Sequence, residues 1–139
     1  MQGFNFYKNI KMNLEGRKIT VNKSVPQLME MLKNPEDYKD LMPSSLNKFE
    51  SWEDGFKFGL SGMPEIALKI EEVSTNQVIL KSASSSLDFA LTGTMNSIND
   101  NQTEVQLLFE GKFNPFIKMM VEKPLQNFIN SLTDNIEKL

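Results

Sequence analysis

The feature that most constrains this chain is a run of alternating apolar segments between residues 46 and 109. Large apolar residues alternate with polar or small ones in six consecutive segments, and turn-forming residues separate the segments. Such alternation predicts strands with one buried face. Because the connections are too short for parallel crossovers, the strands should pair in antiparallel fashion. Asp54-Gly55 is a hairpin signal between two of them.

The residues before this run predict one more strand and two short helices. Alternation over residues 10 to 21 slips in phase at Gly16, which predicts a strand with a glycine bulge. Ser24 and Gln27 have the spacing of a capping box and should begin the first helix. Asn34-Pro35 should end that helix and begin the second.

A long helix should close the chain from about Pro115 to Lys138. Asn114 is placed to cap it, and most of its apolar residues form one stripe at about 100° per residue. Pro124 has no amide hydrogen and should kink the helix near its middle. A kinked helix can follow a sheet and still leave space beneath one half.

Two residues break the stripe of this helix and make its first two turns apolar nearly all round. They are Phe116 and Met119. A helix that is apolar on every side is either covered on every side or borders an opening. Either the two residues pack beneath the short helices between Val25 and Leu41, or they form a flexible lip at the mouth of a cavity, near the turns at Met63 and at Ser84 to Ser86.

Composition excludes several classes of function. The chain has 139 residues, which fits one domain, and it has no Cys and no His. Thiol nucleophiles, Ser-His triads and Cys or His metal sites are therefore excluded, and we predict no cofactor and no metal. A net charge of -3 without a cluster of basic residues argues against nucleic acid. Without a membrane span or a signal-peptide pattern, the expected location is the cytoplasm.

The order of elements resembles the helix-grip fold of the START-like superfamily, also called SRPBCC. The segments that carry the resemblance are "ITVNKSVPQLMEMLKNPEDYKDLMP", "GFKFGLSGMPEIALKI" and "FEGKFNPFIKMMVEKPLQNF". The resemblance extends from about Met12 to Leu139, and the segments are similar to small bacterial members of the polyketide-cyclase-like and birch-pollen-allergen-like types. The resemblance implies an α+β fold in which a seven-stranded curved antiparallel sheet wraps around the C-terminal helix, in the order β-α-α-β6-α. The expected domain is residues 1–139, with residues 1–11 as an N-terminal extension and Met12 as a possible natural start.

The same resemblance implies a cavity between the sheet and the last helix. Family members often hold a lipid, sterol, polyketide or quinone-like molecule there, so the leading hypothesis is binding or transport of a small hydrophobic ligand. The alternative for each candidate is that it packs a solid core, although nine methionines favour an adaptable interior. The predicted lining residues are Phe56, Phe58, Leu60, Ile66, Leu68, Phe89, Leu91, Leu107, Phe109, Met120 and Phe128.

Two other functions remain open from the sequence. Some relatives of this fold are cyclases, aromatases or hydrolases, which need polar groups beside the ligand. The candidates would be Tyr38, Glu65, Asp88 and Glu110, but alternation places Asp88 and Glu110 opposite the apolar residues, so no catalytic residue is assigned. A protein-interaction module is the other alternative, with Trp52 as a contact residue.

Overall fold

The computed structural model describes residues 8–84 and 87–139. A sheet, two short helices and one long helix make up this part of the chain. In chain order the elements are β1 (Ile10–Glu15), β2 (Ile19–Val21), α1 (Val25–Leu32), a 3₁₀ helix (Pro35–Leu41), β3 (Leu46–Trp52), β4 (Gly55–Leu60), β5 (Ile66–Ser74), β6 (Gln77–Ser82), β7 (Asp88–Asn99), β8 (Gln102–Phe113) and α2 (Pro115–Glu137).

All eight strands form one antiparallel sheet. Its order is β1-β8-β7-β6-β5-β4-β3, and β2 also pairs with β8. Helix α2 packs against β1, β2 and β8 on the apolar face of this sheet. The predicted α+β helix-grip architecture is therefore confirmed, including the antiparallel pairing and the hairpin between β3 and β4.

The first strand differs from its prediction, because it is two strands rather than one strand with a bulge. β1 ends at Glu15 and β2 begins at Ile19, and both pair with β8. A Cβ atom on Gly16 would lie 2.8 Å from Thr133 Oγ1 of α2, so glycine is needed for the close approach of the helix. Two residues assigned to an N-terminal extension, Ile10 and Lys11, belong to β1.

The helix ends follow the predicted capping. The Gln27 amide donates to Ser24 Oγ at 3.3 Å, and the Ser24 amide donates to Gln27 Oε1 at 2.9 Å, which completes the capping box. The second short helix is a 3₁₀ helix that begins at Pro35. In α2 the Ile117 amide donates to Asn114 Oδ1 at 2.9 Å.

Aromatic side chains pack in the core where the C-terminal half of α2 meets the sheet. The Phe58 and Phe128 rings stack with their centroids 5.3 Å apart, and Phe56 stacks on Tyr38 at 4.7 Å. The Tyr38 hydroxyl donates to the Leu32 carbonyl at 2.6 Å. Burial raises the pKa of Tyr38, because the charged phenolate is poorly solvated there.

The two halves of α2 are held differently. In the C-terminal half, Arg17 pairs with Asp134 at 2.8 Å and with Glu137 at 2.7 Å, and the Asn135 amide donates to the Leu41 carbonyl at 2.9 Å. In the N-terminal half, every residue from 115 to 124 is half-buried or exposed. The first half of the helix therefore does not close down on the sheet.

Candidate apolar ligand site

A cavity of about 510 Å³ lies between the first half of α2 and one end of the sheet. The sheet contributes the start of β5 and β7, the end of β6 and β8, and the connections beside them. A space of this size falls within the roughly 300–1,000 Å³ typical of small-molecule sites. The described lining consists of Met63, Pro64, Glu65, Ile66, Ala67, Ser82, Ser84, Leu87, Phe89, Phe109, Phe113, Ile117, Met120, Val121 and Leu125.

Three phenylalanines form an aromatic wall of this cavity. The rings of Phe89 and Phe109 lie 5.2 Å apart, and Phe113 lies 6.4 Å from Phe89 and 6.3 Å from Phe109. These separations and the near-parallel planes are those of offset-stacked rings. The wall therefore presents a broad, rigid apolar surface to any molecule in the cavity.

Gly111 makes this arrangement of rings possible. It pairs with Phe89 across β7 and β8, and it lies two residues before Phe113 on the same face of the strand. A Cβ atom at this position would lie 2.7 Å from the Phe113 ring and 2.9 Å from Phe89 Cβ. Because such contacts are too short, the absence of a side chain at Gly111 gives the Phe113 ring its place.

The helix side of the cavity is aliphatic. Ile117, Val121 and Leu125 are one turn apart on α2, and all three line the space. Leu125 is buried, whereas Ile117 and Val121 are only half-buried. The apolar stripe of α2 therefore faces an open space at its beginning and a packed core further on.

Polar groups are confined to the rim. Glu65 pairs with Lys48 at 3.1 Å and with Lys57 at 3.8 Å, and all three side chains are partly exposed. The hydrogen bond and charge of Glu65 raise the pKa of Lys48. Ser82 Oγ donates to the Ser84 carbonyl and accepts from the Ser84 amide, both at 3.2 Å. Among the described lining residues, Glu65 is the one titratable group.

Other features of the described residues bear on function. Within 8–84 and 87–139, no group of three or more acidic side chains is placed to hold a metal ion. No helix in these ranges is long and apolar enough to cross a membrane. The arrangement offers apolar contact over a large surface and a few hydrogen-bonding groups at its edge.

The structure brings four of the predicted lining residues together around the cavity. Ile66, Phe89 and Phe109 line it from the sheet, and Met120 lines it from α2. Met120 is 71% exposed, so it borders the opening rather than the interior.

The other predicted lining residues lie elsewhere on the apolar face. Phe56, Phe58 and Leu68 are packed in the core. Leu91 and Leu107 border a separate apolar space of about 50 Å³, which is close to the size of one or two water molecules. Leu60 and Phe128 border a surface groove on the other side of Met63.

The predicted lip residues are near the cavity but differ in their contacts. Met63 lines it directly. Phe116 and Met119 are each 72% exposed, which contradicts the alternative that they pack beneath the short helices. The serine turn named with this lip includes positions 85 and 86, which lie outside the described residues.

Several lining residues were missed by sequence reasoning. Phe113 continues the alternation of β8 beyond Gly111, so extending the period by one more step would have found it. Ile117, Val121 and Leu125 were placed on the apolar stripe but not assigned to the cavity. Ser82 has the parity of Val78 and Leu80, which gives it an inward position at the end of β6.

The side chains considered for catalysis do not meet at this site. Tyr38 is buried and lines the 50 Å³ space, and Asp88 and Glu110 are exposed. Glu65 alone borders the cavity, where its carboxylate already has two lysine partners. These four side chains are therefore spread over three different environments.

Solved structures with the same fold are similar to this chain over nearly its whole length. Norcoclaurine synthase from Thalictrum flavum, in complex with dopamine and hydroxybenzaldehyde, is 15% identical with a TM-score of 0.69, and the match covers 99% of this chain and 91% of that one. The KanY protein is 10% identical with a TM-score of 0.70, over 93% and 97% of the two chains. A START superfamily protein from Mycobacterium smegmatis is 10% identical with a TM-score of 0.62, over 92% and 94%.

No protein-family model matches the chain, and a search of curated proteins finds no significant match. The similarity is thus one of structure. It defines the class of architecture: this chain has the START-like helix-grip fold. Its own features within that fold are the aromatic wall of the cavity and the open first half of α2.

Proposed function

We propose that this chain binds a small, mainly apolar molecule in the cavity beneath the first half of α2. The observation that carries the proposal is the space of about 510 Å³ whose interior is aromatic and aliphatic and whose polar groups are at the rim. A ligand that fits this lining has an apolar body, which would lie on the rings of Phe89, Phe109 and Phe113. A small hydrogen-bonding group on the ligand would reach Ser82 or Ser84.

The comparison with norcoclaurine synthase supports this proposal at the level of ligand class. That protein has the same fold and is solved with dopamine and hydroxybenzaldehyde, both of which are aromatic. For this chain we propose binding or transport of a hydrophobic molecule of similar or larger size. Lipid, sterol-like, polyketide and quinone-like molecules all have the required apolar body.

Titration with an environment-sensitive apolar dye tests the proposal. We expect saturable binding with a dissociation constant in the micromolar range, about 8 kcal/mol. Phe89→Glu should abolish it, because an ionised carboxylate is strongly disfavoured in an apolar space. Since that variant loses an aromatic wall residue, Val121→Trp provides a second test that fills the cavity without adding charge.

The matched control is Lys123→Trp, which adds the same side chain to the exposed side of the same helix. Lys123→Trp should bind the dye as the unmodified chain does. If Val121→Trp binds the dye equally well, or if the dye binds only on partial unfolding, the cavity is not the binding site.

A further inference from the structure

A second space lies beside the apolar cavity and differs from it in chemistry. It is a surface groove of about 350 Å³, which corresponds to on the order of ten water molecules. Met63 borders both the groove and the cavity, so the two spaces lie on either side of this side chain. We call this space the neutral groove, and its described lining consists of Pro43, Ser45, Leu60, Ser61, Gly62, Met63, Pro124, Asn127, Phe128 and Ser131.

None of the described residues that line the neutral groove is charged, although charged residues make up 24% of the chain. The hydrogen-bonding side chains of the lining are three hydroxyls and one amide, on Ser45, Ser61, Ser131 and Asn127. Within 8–84 and 87–139 these four side chains make no hydrogen bond, so each is available to a bound molecule. They favour a partner with several neutral hydroxyls, because a charged group would find no opposite charge in the groove.

The sheet side of the neutral groove is held in a defined shape by backbone hydrogen bonds. The Ser61 amide donates to the Ser45 carbonyl at 3.2 Å, and the Met63 amide donates to the Leu60 carbonyl at 3.2 Å. Gly62 has a φ of +84°, which other residues rarely adopt, and this conformation closes the turn. The hydroxyls of the sheet side are therefore carried by an ordered turn.

The helix side of the neutral groove adds two polar groups beside an apolar base. Asn127 and Ser131 are four residues apart on α2 and therefore lie on the same side of the helix. Leu60 and Phe128, which also line the groove, are each only 5% exposed and form its apolar base. This arrangement suits a small group that has hydroxyls along its edge and carbon-bound hydrogens on its face.

We infer that the neutral groove binds the uncharged, hydroxyl-rich head group of a ligand whose apolar tail occupies the cavity. Sugar and glycerol head groups have this chemistry. Because Met63 borders both spaces, a molecule that passes this side chain reaches both of them. The inference rests on the proposed ligand binding and narrows the ligand class from apolar molecules in general to neutral amphiphiles.

The rim of the cavity is less suited to such a head group. Ser82 Oγ already donates to the Ser84 carbonyl and accepts from the Ser84 amide, and the Glu65 carboxylate already has two lysine partners. These groups suit a small polar group rather than a set of hydroxyls. Each neutral hydrogen bond contributes about two- to tenfold to affinity, so two such bonds in the groove should contribute about five- to fiftyfold.

Displacement of the apolar dye by compounds that share an octyl chain tests the inference. The compounds are 1-octanol, octyl glucoside, octanoate and octylamine, each below its critical micelle concentration, and free glucose is the control without a tail. We expect octyl glucoside to bind at least about fivefold more tightly than 1-octanol. Octanoate and octylamine should bind more weakly than octyl glucoside, and free glucose should not displace the dye.

Substitutions in the neutral groove separate the head group from the tail. Asn127→Ala with Ser131→Ala should weaken octyl glucoside about five- to fiftyfold and leave 1-octanol unchanged. Ser45→Ala should weaken octyl glucoside about two- to tenfold. Ser44→Ala is the matched control and should change neither compound, because Ser44 is also exposed but is absent from the groove lining.

Three outcomes would overturn the inference. Octyl glucoside gains nothing over 1-octanol; or octanoate or octylamine binds more tightly than octyl glucoside; or Asn127→Ala with Ser131→Ala weakens 1-octanol as much as octyl glucoside. Any of these results, obtained while 1-octanol displaces the dye from the unmodified chain, refutes the head-group site alone. If the dye does not bind, or if 1-octanol does not displace it, the proposed function fails, and the head-group site fails with it.

Discussion

At the scale of single residues, the shape of the cavity depends on Gly111 as much as on the phenylalanines around it. The Phe113 ring occupies the volume in which a side chain at Gly111 would lie. This ring in turn packs beside Phe89 and Phe109. A single added methyl group should therefore disturb three aromatic contacts.

We predict that Gly111→Ala lowers the free energy of unfolding by about 1–3 kcal/mol, the usual cost of overpacking a filled site. Gly93→Ala is the matched control, because its Cβ would meet only Leu107 Cδ2, at an ordinary 3.5 Å. That variant should leave stability unchanged or raise it by up to about 1 kcal/mol. Equilibrium unfolding in urea measures both, and equal losses would show that the Phe113 ring does not depend on Gly111.

Tyr38 gives a second prediction at this scale, which concerns pH. Burial raises its pKa above the ordinary value of about 10. The folded chain therefore keeps the phenolic proton at a pH at which the unfolded chain releases it. The resulting stability is complete below about pH 10 and is lost as the pH rises further.

The Tyr7→Phe variant isolates this effect, because the chain has only two tyrosines. In that variant we expect phenolate absorbance to develop together with loss of folded circular dichroism at alkaline pH. Adding Tyr38→Phe should weaken the fall in stability above pH 10. Phenolate absorbance that develops near pH 10 while the chain stays folded would contradict the buried position of the hydroxyl.

At the scale of elements, sequence periodicity described α2 well but could not assign its surroundings. The apolar stripe, the Asn114 cap and the unusual apolar character of the first two turns were all visible in the sequence. Whether Phe116 and Met119 are covered depends on how far the short helices and the sheet extend beneath them. That extent is set by contacts between elements distant in sequence, which a local pattern does not contain.

The same change, methionine to alanine, at two positions compares the exposed first half of α2 with the packed core. Met119 is 72% exposed, whereas Met95 in β7 is 2% exposed. We predict that Met119→Ala costs well under 1 kcal/mol, and that Met95→Ala costs about 2–5 kcal/mol because it leaves a void in the core. Thermal and urea unfolding measure both. A large loss in Met119→Ala would show that the residue is covered in the folded chain.

At the scale of the whole molecule, the sequence predicts which face of the sheet is apolar but not where that face is filled. Alternation places both Phe58 and Phe109 on the apolar face of the sheet. Phe58 nevertheless stacks on Phe128 in the core, whereas Phe109 lines the cavity. The difference arises from their position along the sheet relative to the two halves of α2. Helix-grip architecture follows from element order and alternation, whereas the location of the cavity depends on tertiary packing over long sequence separations.

Phe128 lies at the boundary between the filled and open regions. One turn before it, Leu125 lines the cavity of about 510 Å³, and one turn after it, Leu132 lines the space of about 50 Å³. Phe128, whose ring stacks on Phe58, lies between these two lining residues along α2, so we expect it to limit the depth to which a ligand can enter. Since each buried methylene contributes about 0.8 kcal/mol, affinity should rise with ligand length only until the cavity is filled.

We predict that Phe128→Ala joins the two spaces and extends this limit. Linear fatty alcohols of increasing length, measured by displacement of the apolar dye, should reach a plateau in affinity at a longer chain in Phe128→Ala than in the unmodified protein. Phe56→Ala is the matched control, because it removes a similarly buried ring that does not lie on α2 between Leu125 and Leu132, and it should lose a similar amount of stability, about 3–5 kcal/mol. Its plateau should stay at the original chain length. The same plateau in all three proteins would show that Phe128 is not the floor of the cavity.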